Sequence, residues 1–132
     1  MRKKAFTLIE LMLVVIIIGV LAAMVMPRLV GRSEEAKASA AKADINSTIS
    51  LALDLFEMDC GRYPTAEEGL AALRTNPGSL QNWKGPYLKK SPKDPWGKPY
   101  NYKFPGTHNN DYDLSSSGPN GVEADDDDIV NW

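Results

Sequence analysis

Two groups of carboxylates stand out in this 132-residue sequence as able to do chemistry. One is a single side chain, Glu10, set near the start of the apolar run 6–26 (FTLIELMLVVIIIGVLAAMVM). The other is a crowd: Glu123 and Asp125 to Asp128 put five carboxylates into six residues. A carboxylate inside a membrane-length apolar run costs roughly 3 kcal/mol on insertion scales, so it should face a partner rather than lipid. The thirteen Leu, Ile, Val and Phe of the run each return about 0.3–0.6 kcal/mol on the same scale, so insertion survives the penalty. Glu10 therefore reads as a charge held for a meeting between copies of the span. The C-terminal crowd poses a different problem. Its flanks are turn residues on one side and Ile129, Val130 and Trp132 on the other, which are suited to packing. Packing both flanks presses the carboxylates together, and a hard cation taking about six to eight oxygens at about 2.3–2.6 Å relieves that repulsion. The plain alternative is a solvated acidic tail. An EF-hand is excluded, since a loop counted from Asn109 has no Gly at its sixth position and no Glu at its twelfth.

Other reactive groups are sparse. His108, the single histidine, lies in a polar stretch and reads as a surface residue. The single Cys60 has no partner for an internal disulfide and reads as packing at a helix end. There is no nucleophile elbow, no phosphate loop and no Cys/His cluster, so nothing points to an enzyme. The triplet Asn46-Ser47-Thr48 matches a glycosylation site but falls inside a predicted helix. The net charge of −2 depends on the acidic crowd, without which it would be about +3.

The elements that position these groups follow from the pattern. A run of about 20 apolar residues at about 1.5 Å per residue crosses a hydrocarbon core. Ahead of it stands Met1-Arg2-Lys3-Lys4-Ala5, whose basic residues keep the N-terminus cytoplasmic by the positive-inside rule. An ordinary secretory signal, cut after a small-residue site such as Val20-Leu21-Ala22, is the competing reading. Against it stand the carboxylate at Glu10 and an apolar run that continues past Ala23 to Met26. Pro27 removes one backbone donor, so a kink or local melting is expected between Gly19 and Pro27. From 28 to about 59 the chain is Ala-rich, with helical spacing at Ala38, Ala41, Ile45, Ile49, Ala52 and Phe56. Leu51, Leu53 and Leu55 are expected to thicken that stripe, leaving Glu34, Glu35, Lys37, Lys42 and Asp44 on the other face. Gly61 stops the helix.

The second half, rich in Pro and Gly, reads as turns and short elements. Thr65 and Glu68 make a capping-box pattern for a short helix, with Leu70, Leu73 and Ala71 on its buried face and Asn76-Pro77-Gly78 at its end. Strands are expected at 100–104 and 112–116, punctuated by turns at Asp94-Pro95-Trp96-Gly97 and Pro105-Gly106. The fold class is α+β: a long N-terminal helix, half transmembrane and half amphipathic, packed on a small antiparallel sheet.

Ala5 followed by Phe6-Thr7-Leu8-Ile9-Glu10 resembles the processing site of type IV pilins and pseudopilins. The resemblance implies that a prepilin peptidase cuts between Ala5 and Phe6 and methylates the new amine of Phe6. It also implies that Glu10 pairs with that amine on a neighbouring subunit. The family usually has Gly where Ala5 stands. A buried carboxylate satisfied by a cation is physically tolerable, which agrees with such a pairing. Later motifs narrow the likeness: Arg62-Tyr63-Pro64-Thr65, Glu68-Gly69-Leu70, Gly85-Pro86-Tyr87-Leu88, Asp94-Pro95-Trp96-Gly97, Tyr100-x-Tyr102, Tyr112-Asp113-Leu114 and Asp128-Ile129-x-Asn131-Trp132 are similar to the major pseudopilins of type II secretion systems. Three regions are implied: a cleaved leader (1–5), a membrane and filament-core helix (6–26) and a periplasmic domain (27–132), anchored once in a bacterial inner membrane.

The same resemblance implies a helical homo-oligomer that supports export of folded proteins across the outer membrane. Its partners would be prepilin peptidase, minor pseudopilins and an inner-membrane assembly platform, with no nucleic acid among them. A C-terminal calcium loop is implied as well, ligated by the carbonyls of Leu114 and Ser117 and the side chains of Asn120, Asp125 and Asp126. Asn120 stands where the family usually has Asp. Two other functions remain as alternatives: a type IV pilin of a surface pilus, or a membrane-anchored calcium-binding module that never assembles.

Overall fold

The computed structural model describes residues 3–132, so Met1 and Arg2 of the basic leader lie outside the described residues. The chain divides into two compact units, Met1–Glu35 and Ala36–Trp132. Helix α1 spans Leu8–Ala43. Thr7 caps its start: its Oγ1 accepts the Glu10 N–H at 3.3 Å and its carbonyl accepts the Leu11 N–H at 3.2 Å. Thr and Glu three residues apart are the signature of such a cap. The apolar side chains 8–26 are exposed, as a segment made for a lipid or protein environment requires. The expected local melting before Pro27 is absent, because α1 is helical through it. Pro27 withholds a single N–H, and its neighbours Met24 to Met26 and Arg28 to Leu29 favour helix.

In the second unit the amphipathic stripe appears with one refinement. Five residues, Asp44–Thr48, form a π-helical turn before α2 (Ile49–Cys60). Ala41, Ile45 and Ile49 are buried at two successive steps of four, which would drift around a helix turning every 3.6 residues or so. The wider π turn absorbs that drift. The Ser50 hydroxyl donates to the Ile45 carbonyl at 2.6 Å within this wider turn. Ala52, Leu53 and Phe56 continue the buried face. Leu51 and Leu55 do not thicken it: both are exposed and, with Met58, form a separate apolar row on the outer side of α2. Their spacing, i, i+4, i+7, places them together on a face that turns away from the core. Gly61 ends α2 at φ +75°, its N–H bonded to the Glu57 carbonyl at 2.7 Å.

The capping box beyond Gly61 is formed. The Thr65 N–H donates to Glu68 Oε2 at 2.9 Å and the Glu68 N–H to Thr65 Oγ1 at 3.3 Å. Arg62 grips the same carboxylate with two bonds of 2.8 and 2.9 Å. That bidentate bond, against a smaller cost of burial, holds Glu68 down at a pKa of about 2. The expected short helix is a 3-10 turn, Gly69–Leu73, because Gly69 at φ +59° breaks the α-helical path. Ala72, not Ala71, is buried with Leu73.

Strands β1 (Asn101–Lys103) and β2 (Asp113–Ser116) lie inside the expected segments. A third strand, β3 (Ile129–Val130), joins them in an antiparallel sheet of order β1-β2-β3, with Tyr102 opposite Leu114 and Ser116 opposite Ile129. The α2 face, Leu73, Tyr100, Tyr112 and Leu114 share one core. All five tyrosines donate from their hydroxyls: Tyr63 to Asp54, Tyr87 to Asp59, Tyr100 to Asp44, Tyr102 to the Pro64 carbonyl and Tyr112 to Ser50. Tyr100 and Tyr112 are thereby buried, and Tyr63, Tyr87 and Tyr102 partly buried, each with its polar end satisfied.

Three side chains hold the turns where a disulfide is lacking. Asp94 accepts the Lys98 N–H (2.8 Å), the Trp96 N–H (3.2 Å) and the Ser116 hydroxyl (2.8 Å). Asn131 accepts the Leu114 N–H at 2.9 Å and donates to the Tyr112 carbonyl at 3.3 Å. Asp113, 5% exposed, accepts the N–H groups of Thr107, His108 and Asn109 and the Thr107 hydroxyl, at 2.7–3.0 Å on the shorter contacts. Burial would raise its pKa, but these donors outweigh burial and hold it well below the usual carboxylate range.

Because the unfolded chain titrates an Asp near about 3.9, Asp113 contributes fully above about pH 5, and its contribution is lost as pH falls from there through the folded-state value. Asp113→Asn should therefore cost about 2–3 kcal/mol at pH 7, since several bonds to a charged acceptor are lost. It should also flatten the acid limb of the melting-temperature profile, measured by circular dichroism between pH 7 and 2. An unchanged acid limb would show that other carboxylates govern it.

Candidate functional site

Two sites emerge, one in each unit. In the first, the Thr7 cap fixes the backbone of Glu10, and the carboxylate stands one turn into an exposed apolar helix. Among the described residues no ion pair involves Glu10. Ala5 and Phe6 precede the first helical turn, outside any helix or strand, and both are exposed. A carboxylate in the first turn of a helix is also favoured by the helix dipole.

The second site is the loop 117–128. Its beginning is tied to the sheet: the Gly118 N–H donates to Ser116 Oγ at 3.3 Å, and Ser116 in turn donates to the buried Asp94. Gly118, at φ +64°, lies so close to the far side of the loop that a Cβ would stand 2.5 Å from the Asp127 carbonyl oxygen. Only glycine meets both demands. Asn120 then organises the turn, accepting the Val122 N–H at 2.8 Å and donating to Asp125 Oδ2 at 2.6 Å. Asp125 Oδ1 accepts the Asp127 N–H at 3.1 Å, and Asp128 Oδ2 accepts the Ala124 N–H at 2.7 Å. The Lys98 ammonium reaches the Gly121 carbonyl at 3.4 Å.

The structure thus joins two of the expected ligand residues, Asn120 and Asp125. Leu114 sits in β2 with its carbonyl accepting the Asn131 N–H at 3.1 Å, while Ser117 is buried beside Asn101, whose amide donates to its hydroxyl at 3.0 Å. Asp126 is exposed. Among the described residues no three His, Cys, Asp or Glu side chains are gathered as a ready metal cage. The feature that fits a cation is Asp128, whose Oδ1 is buried without a hydrogen-bond partner. An orphaned carboxylate oxygen calls for an ion or water. A carboxylate oxygen is a hard donor, of the kind calcium takes. Asp128 was outside the expected set, and its signal is positional: it immediately precedes the packed strand β3, so it cannot be freely solvated.

His108 is less idle than expected. Its ring stacks on Trp132 at 4.0 Å between centroids, and its Nδ1 lies 3.0 Å from Asp113 Oδ2. Half-exposed, it fastens the chain's last aromatic to the sheet. Cys60 packs partly buried at the end of α2, where burial pushes its thiol pKa up.

An apolar helical stretch with a carboxylate in its first turn, and a second unit in which an amphipathic helix packs with a small antiparallel sheet, define a pilin-like subunit. Residues 28–132 match the family described as type II secretion system (T2SS), protein G, and residues 1–26 match the prokaryotic N-terminal methylation motif. The type II secretion system core protein G of Pseudomonas aeruginosa is 47% identical over 138 residues, covering 99% of this chain and 96% of that protein. The core protein G of Escherichia coli K12 is 43% identical, covering 99% and 92%. The crystal structure of the major pseudopilin of enterohaemorrhagic Escherichia coli superposes with a TM-score of 0.68 at 35% identity, covering 80% of this chain and 95% of that one. The chain belongs to the type II secretion system protein G family. The likeness drawn from the sequence motifs is borne out, and with it the pilin-like fold; the surface-pilus and non-assembling alternatives fall away.

Proposed function

We propose that this chain is the structural subunit that polymerises into the periplasmic pseudopilus of a type II secretion system, supporting export of folded proteins across the outer membrane. The observation that carries this is Glu10, a carboxylate committed to an apolar helix with no ion pair among the described residues of its own chain. A mere anchor has no use for it; a subunit that pairs it with a neighbour's Phe6 amine does. The subunit waits in the inner membrane with residues 27–132 in the periplasm, is cut by prepilin peptidase, and joins the filament with minor pseudopilins and the assembly platform. Its role is structural rather than enzymatic.

Calcium belongs to the same reading. Asn120, Asp125 and Asp128, with the carbonyls of Leu114 and Ser117 and the nearby Asp126, are the residues that would hold it. The ion would supply positive charge to a loop bearing five carboxylates and pin it in the absence of a disulfide.

Three measurements test this reading. Mass spectrometry of protein from cells with prepilin peptidase should find an N-terminus at N-methylated Phe6; cleavage near Ala22 would reject the pseudopilin reading. Glu10→Ala should insert in the membrane at least as well as wild type yet form few filaments by electron microscopy and secrete poorly, because the charge is needed only between subunits. Normal filaments from that variant would remove the pairing. Finally, a cation bound only by the folded state at a hundred times its dissociation constant adds about 2.7 kcal/mol. The full chain in detergent should melt clearly higher in millimolar calcium than in chelator, with Asp125→Ala plus Asp128→Ala erasing most of the difference. Equal melting in both conditions would make the loop a solvated acidic run.

A further inference from the structure

The loop 117–128 already touches a positive charge of its own. Lys98 follows the Asp94-Pro95-Trp96-Gly97 turn, and its backbone is fixed from both sides. Its N–H donates to the Asp94 carboxylate at 2.8 Å and its carbonyl accepts the Asp94 N–H at 2.7 Å. Asp94 also receives the Ser116 hydroxyl, and Ser116 receives the Gly118 N–H. The root of Lys98 and the start of the acidic loop therefore hang from one buried carboxylate. From that root the side chain lies across Gly121, where φ is +71° and a Cβ would collide with Lys98 Nζ and Cε. The ammonium ends on the Gly121 carbonyl at 3.4 Å.

This arrangement sets a monovalent charge against a site with a need for more. The loop's five carboxylates exceed what one ammonium neutralises, and Asp128 Oδ1 remains buried without a partner. A lysine head on a flexible four-carbon stem is readily displaced, whereas its backbone anchor keeps it within reach. A divalent ion entering the loop meets repulsion from an ammonium already there. We infer that the Lys98 ammonium is the built-in cation of the 117–128 loop, lying on it when divalent ions are scarce and yielding to them, and thereby setting the calcium level at which the loop locks. This rests on the calcium reading above and adds its regulation.

The test is calorimetric calcium titration of the full-length chain in detergent, alongside thermal melting in chelator. Lys98→Met should bind calcium about five- to tenfold more tightly than wild type, the scale expected for removing one nearby like charge in a partly solvated site. In chelator it should melt lower than wild type, since its loop then has neither cation. Lys98→Arg, which keeps the charge, should match wild type in both measurements. A Lys98→Met affinity within twofold of wild type, equal melting in chelator, or an equal shift in Lys98→Arg overturns the inference. Calcium binding by the wild-type chain is read in the same titration, so these failures leave the calcium reading standing. Absence of any calcium response in wild type overturns both.

Discussion

Backbone donors with nowhere regular to go are the constraint on which the second unit depends. Its three strands hold only three, four and two residues. Most N–H groups beyond Gly61 must find acceptors outside a ladder, because a buried donor left alone costs as much as a lost bond. The chain answers with side-chain oxygens. Asp94 and Asp113 collect bonds from residues near them in sequence and tie those turns to the sheet, while Asn131 ties the C-terminus to Tyr112 and Leu114. Asp113 is the extreme case, a carboxylate sealed under four backbone and hydroxyl donors. Its charge is tolerable there because the donors supply the solvation that water no longer does. The chain's one cysteine cannot make an internal staple, and these three residues take over the task of holding loops to the core.

The helix side obeys a related demand for register. The π turn at Asp44–Thr48 lets Ala41, Ile45 and Ile49 face one core, and it places Asp44 and Ser50 where Tyr100 and Tyr112 can reach them. The hydroxyl of Tyr112 donates to Ser50, and Ser50 to the Ile45 carbonyl within the widened turn. Each aromatic that spans from sheet to helix thus carries a polar end that finds a fixed acceptor. Removing any one phenol would leave an acceptor inside the domain without its donor.

Much of this was legible in the residues, for identifiable reasons. The membrane-length run, Glu10, the Gly61 stop and the Thr65–Glu68 box are local signals, set by neighbours within one or two turns. The core stripe was legible because amphipathic spacing is a property of one helix. What escaped depended on contacts distant in sequence. Leu51 and Leu55 carry the same apolarity as Leu53, and only the position of the sheet decides which of them is covered. The two residues of β3 are too few for any alternation to show, and pairing with Ser115 and Ser116 is what makes them a strand. The π turn hid inside a continuous helical pattern. At the acidic loop, composition pointed to a cation but could not rank four consecutive aspartates. Asp128 is singled out only by the strand that follows it.

That strand also explains why an acidic run should precede it. β3 is the outer strand of an open sheet, and an unpaired edge is a template for unwanted pairing with another copy. A subunit that assembled at high local concentration through its apolar N-terminal helix, as proposed, could not leave a second adhesive edge exposed. Shortness alone reduces the hazard, and Asp125 to Asp128 add like charges beside the edge that repel an identical neighbour. Under the proposed function the two carboxylate groups of the chain would therefore act in opposite senses. Glu10, alone among apolar side chains, would favour contact with another copy at the helix. The crowded aspartates would oppose it at the sheet, and a cation held within the loop would steady the fold there without turning that edge into an attractive one.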